Sequence, residues 1–73
     1  MNYLEWADEY LEDARRVLEV IKKKKAHLNE PKLTADTRKQ LNDVIIAYRC
    51  IYRELLSTAE HLRRRAGGSG YEA

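Results

Sequence analysis

Phenylalanine is absent from this chain, cysteine and proline occur once each, and glycine three times. The lone cysteine, Cys50, excludes an intramolecular disulfide, and with only His27 and His61 beside it no familiar zinc-ligand spacing can be assembled. The longest uninterrupted apolar run, Val44 to Tyr48, falls far below the roughly 20 residues that cross a bilayer. No basic stretch followed by an apolar one opens the chain, so no signal peptide is expected. There is no glycine-rich phosphate loop. Glu60 and His61 are adjacent, so the Glu-x-x-His spacing of a di-iron bundle is missing as well. These absences predict a reduced, cytoplasmic protein with no membrane segment, no metal and no cofactor. They also predict no enzymatic activity, because catalysis needs reactive groups held together in a pocket.

What is present is charge and helical periodicity. Of 73 residues, 36% are charged and 44% hydrophobic, a balance that suits a charged helical protein. A domain this short buries only about 60% of the surface its unfolded chain exposes. With neither disulfide nor metal to reinforce it, self-association is the expected compensation.

The first helix is expected over about residues 2–28. Asn2 can cap it, with Glu5 three residues later, and Glu5, Asp8, Glu9, Glu12 and Asp13 follow where exposed amides favour acids. Apolar residues recur as Tyr3/Tyr10/Val17, Leu4/Leu11/Leu18 and Ala7/Ala14/Ile21/Leu28, a stripe three positions wide. Residues 29–34 read as the turn, because Pro31 cannot continue a helix and restricts Glu30 before it. Thr34 should cap a second helix over about residues 35–66, striped by Leu41, Val44, Ile45, Tyr48, Ile51, Tyr52, Leu55, Ala59, Leu62 and Ala66. Gly67 is the expected C-terminal cap, followed by a flexible tail over 67–73. The short turn makes the helices antiparallel neighbours, with facing residues numbered to sum to about 62 or 63. On that register Ala7 meets Leu55 and Leu4 meets Ala59, while Glu9 lies opposite Arg53 and Glu12 or Asp13 opposite Arg49.

A lone hairpin covers one side of each helix, yet the middle of the second helix is apolar nearly all round, and such surface is normally buried. Trp6, Val20, Ile46, Ala47, Cys50 and Leu56 lie outside the main stripe and make the expected face for self-association or for another protein. Two hairpins joined there would form a homodimeric four-helix bundle with coiled-coil-like packing. Cys50 stands near Arg49 and Arg53, but reads as a small buried hydrophobe of that face.

Two basic clusters remain. Lys22, Lys23, Lys24 and Lys25, with Lys32, Arg38 and Lys39, make the loop end basic and could contact nucleic-acid phosphates. The simpler reading is a solvated helix end, since four consecutive lysines spread around the helix and Glu19, Glu30 and Asp36 dilute them. Arg63, Arg64 and Arg65 should compensate the acidic opening of the first helix, and neither cluster has the interleaved aromatics of a single-strand binder. The sequence therefore predicts an all-α antiparallel two-helix hairpin that dimerises into a four-helix bundle. Its expected role is a homo-oligomeric interaction, scaffolding or regulatory module. The alternative is a small nucleic-acid-binding accessory protein using the basic loop end.

Overall fold

A computed structural model of the chain describes residues 2–72, with side chains described through residue 67. Two helices, α1 (Tyr3–Leu28) and α2 (Ala35–Glu72), lie against each other as an antiparallel hairpin. The ends of α1 follow from local chemistry. Asn2 is extended, and its Oδ1 accepts a hydrogen bond from the Glu5 amide at 2.8 Å, satisfying one of the donors a helix start leaves open. At the other end Asn29 N donates to Ala26 O and Glu30 N to His27 O, both at 3.1 Å, tightening the last turn before Pro31 stops it. Thr34 opens α2, its Oγ1 accepting from Thr37 N at 3.1 Å.

The core is two rows of residues spaced by sevens. Ala7, Ala14 and Ile21 are buried on α1, and Ile45 and Ala59 are buried on α2 with Leu62 beside them. Tyr52 and Ala66 continue the α2 row half-buried. A seven-residue repeat keeps one seam facing the partner along the full length of both helices. Ala7, Ala59 and Leu62 pack as one cluster, flanked by Tyr3, Tyr10 and Leu11. No polar or charged side chain is buried among the described residues, so apolar contact holds the seam.

That cluster revises the register. Ala7 packs against Ala59, one turn further along α2 than Leu55, and Leu4 is 55% exposed instead of facing Ala59. The loop end agrees with this register. The Arg38 guanidinium donates to Leu28 O at 3.0 Å, so the first turn of α2 closes beside the end of α1. Every facing layer moves by about one helical turn, and the expected pairing of Arg53 with Glu9 and Arg49 with Glu12 or Asp13 is lost. Glu12 and Asp13 instead pair within α1, with Arg15 at 3.4 Å and Arg16 at 3.7 Å.

The far end of α2 also differs from expectation. The helix continues through Gly67 to Glu72, and no glycine among the described residues has positive φ. A glycine permits a left-handed cap without imposing one, and here the backbone stays right-handed through Glu72, while Ala73, the last residue of the expected tail over 67–73, lies outside the described residues.

Candidate functional site

A step of seven residues returns to nearly the same helical direction, so each row along a helix keeps its angle to the core row. Two contacts assign the rows to sides. The Arg65 guanidinium lies 5.9 Å from the Tyr3 ring centre, which puts Tyr3 and Arg65 on one side of the hairpin. Arg63 reaches Asp8 at 3.8 Å on the other.

Extending the rows from Tyr3 and Arg65 gives a side almost free of charge. On α1 it carries Tyr3, Tyr10 and Val17, then Trp6, Asp13 and Val20 one row further out. On α2 it carries Leu41, Tyr48, Leu55 and Leu62, then Thr37, Val44, Ile51 and Thr58. Trp6, Val44 and Ile51 remain exposed at 45%, 37% and 44%. Trp6 leans on Tyr3, ring centres 6.4 Å apart and planes tilted by 40°. Between the helices the rings and branched side chains leave Asp13 as the one acid in these rows, with Lys24 and Arg65 at their ends.

The opposite side, extended from Asp8 and Arg63, is cationic. Its rows on α1 are Leu4/Leu11/Leu18/Lys25 and Asp8/Arg15/Lys22. On α2 they are Asn42/Arg49/Leu56/Arg63 and Lys39/Ile46/Arg53/Glu60. A shallow cleft of about 260 Å³ opens here, lined by Leu18, Ile21, Lys25, Arg49, Tyr52 and Arg53. Among the described residues Lys25, Arg49 and Arg53 have no carboxylate within ion-pair distance, whereas Arg15, Arg16, Lys22, Arg63 and Arg64 each have one. Arg49 and Arg53 are four residues apart on one helix, a spacing at which like charges repel.

The six residues expected to form one association face therefore do not share a face. Trp6 and Val20 lie in one α1 row on the uncharged side, and Ala47 borders that side between Val44 and Ile51. Ile46, 58% exposed, and Leu56 belong to the cationic side, and the exposed Cys50 points to the outer back of α2. Consecutive residues diverge by about 100° on a helix, so the Val44–Ile46 run distributes its side chains among three directions. Val44 and Ile51, which the sequence assigns to the intramolecular stripe, are the exposed apolar residues of the uncharged side. Counting their row by sevens against the Ile45 row would have found this.

The lysine run spreads as expected. Lys22 pairs with Glu19 at 3.8 Å, Lys25 lines the cleft, Lys23 is exposed and Lys24 is half-buried. Arg38 is engaged with Leu28 O, and Lys32 and Lys39 are exposed beside it at the loop end. Among the described residues no group of three His, Cys, Asp or Glu side chains could hold a metal ion, and no helix is long and apolar enough to cross a membrane. No protein-family model, curated protein or solved structure matches the chain.

Proposed function

We propose that this chain is a homo-oligomeric helical interaction module. A second copy covers the uncharged side to complete a four-helix bundle, and the cationic side faces outward as the surface for an acidic partner. The observation that carries this reading is the uncharged side itself. Tyr10, Val17 and Val20 of α1 share this side with Tyr48, Ile51 and Val44 of α2, and Trp6, Val44 and Ile51 are left in water. Contiguous apolar surface of this kind marks an interaction site. The accessible surface, 5846 Å², also exceeds the roughly 4,700 Å² expected of a compact monomer of 8.6 kDa. One side of the hairpin, about 39 Å long and about 20 Å wide, offers close to the roughly 800 Å² per partner of a standard stable interface.

Light scattering across a dilution series tests the reading. A mass of two chains that persists to low micromolar concentration supports it, and a folded monomer at every concentration rejects it. The unpaired Lys25, Arg49 and Arg53 favour a second reading, in which the cationic side binds nucleic-acid phosphates. That reading requires an affinity that falls steeply with salt, and loss of binding when Arg49 and Arg53 are both replaced by glutamine.

A further inference from the structure

Two arrangements of a symmetric bundle bury the uncharged sides equally well, and they differ in where the loops go. If the two-fold axis runs along the helices, α1 packs on the partner's α2 and both loops lie at one end. If it runs across them, α1 packs on the partner's α1 and the loops lie at opposite ends. We propose that the second copy binds in the opposed arrangement, a conclusion that rests on the self-association proposed above.

The argument is charge. Residues 19–43, the loop half, carry Lys22, Lys23, Lys24, Lys25, Lys32, Arg38 and Lys39 against Glu19, Glu30, Asp36 and Asp43. That half holds an excess of three positive charges, and a shared loop end would bring two such excesses to roughly the 8–10 Å spacing of packed helices, comparable with the Debye length of about 8 Å at physiological salt. The opposed arrangement keeps them a hairpin length apart. It also lays residues 5–13 of α1, where Glu5, Asp8, Glu9, Glu12 and Asp13 stand without a basic residue, along the partner's lysine-bearing second half. The charge gradient of α1 is complementary to itself only when the two copies run head to tail. Apolar contact does not oppose this choice. Head to tail, Val17 packs near its own copy and Ile51 near its own. With shared loops Val17 packs near the partner's Ile51, and either pairing is apolar.

The orientation is read from one exposed loop position. Lys32→Cys in a Cys50→Ser background, carrying a nitroxide spin label, leaves every core and face residue unchanged, and the interchain label distance is measured by pulsed electron paramagnetic resonance. Opposed loops give a distance of roughly 40–50 Å, set by the length of α1 at about 1.5 Å per residue. A distance under about 25 Å, on the scale of two adjacent helix diameters, overturns the opposed arrangement while leaving self-association standing. No interchain distance, together with a mass of one chain, overturns self-association and this inference with it. Disulfide trapping gives an independent reading. Val17→Cys and Ile51→Cys, each in the Cys50→Ser background, cross-link to themselves if the loops are opposed. A Val17–Ile51 cross-link that forms only when the two variants are mixed supports shared loops instead.

Discussion

The two sides of this hairpin are built on the same core rows and have nearly opposite chemistry. On one, Trp6, Val44 and Ile51 stand in water beside the half-buried Val20, with Asp13 as the lone acid among them. On the other, leucines at comparable positions, Leu4, Leu11, Leu18 and Leu56, are fringed by Arg15, Lys22, Lys25, Arg49, Arg53 and Arg63. Long cationic side chains can cover apolar surface with their methylene stems while keeping the charge in water. The cationic side has such cover for its leucines, whereas the uncharged side has almost none. The difference shows that hydrophobic content alone does not single out an interface. What surrounds the apolar residues decides between a solvated surface and a docking surface.

The largest effect should come from the row both sides share. Ile21→Ala removes a side chain that is 3% exposed at the seam, and a truncation of this kind costs about 2–5 kcal/mol. In so small a domain that is a large part of total stability, so circular dichroism should show loss of most helix at 25 °C, and both sides should fail together. A variant that stays helical but loses one side only would break the view that a single seam supports both. Next comes the contrast between two isoleucines five residues apart. Ile51→Glu places a charge on the uncharged side and should weaken the dimer at least 100-fold by light scattering, about 2.7 kcal/mol. Ile46→Glu is the same change at a more exposed position on the cationic side, and should weaken association less than threefold. Equal effects would place the interface elsewhere.

Much of this architecture is legible in the residue pattern. The Asn2 cap, the turn at Pro31, the Thr34 cap and the seven-residue rows each rest on local chemistry, and the structure realises them all. The register is not legible, because it is fixed by tertiary packing, Ala7 against Ala59, that no local signal announces. Once the register moves by a turn, the ion pairs predicted for Arg49 and Arg53 disappear and the cleft between them takes their place. The sidedness of Val44 and Ile51 stayed hidden for a different reason. A stripe three rows wide contains both the residues that meet the partner helix and those at its shoulder, and hydropathy does not separate them. Gly67 misleads because its freedom is compatible with either backbone conformation.

A smaller effect should distinguish the sides by charge. Arg53→Gln removes one of two cations at the repelling four-residue spacing, with Lys25 across the cleft and, among the described residues, no carboxylate in ion-pair reach to lose. Relief of an i, i+4 like-charge pair is worth about 0.2–0.5 kcal/mol. The variant should therefore melt slightly above the parent at low salt, and the gain should shrink as salt is added. Dimer mass should not change, because the substitution lies away from the uncharged side. A melting temperature below that of the parent would mean that Arg53 is engaged with a group on another chain, and that the cationic side is part of the assembly.

The smallest effect concerns Asp8, whose bond to Arg63 is the one ion pair between α1 and α2 among the described residues. Its position invites a larger role than its surroundings allow. At 3.8 Å, with side chains 73% and 56% exposed, the pair sits in water that screens most of its attraction. Exposed pairs of this kind contribute about 0.2–1 kcal/mol, and the length of this one argues for the lower end. Asp8→Asn should therefore lower stability by no more than about 0.5 kcal/mol in urea unfolding, with a deficit that fades at high salt. Asp8 lies on the cationic side, away from the face proposed for the second copy, so the loss should be confined to its own chain. Asp8→Asn should therefore leave association the same at low ionic strength as at high. A variant whose association weakens at low salt would place the cationic side within the assembly.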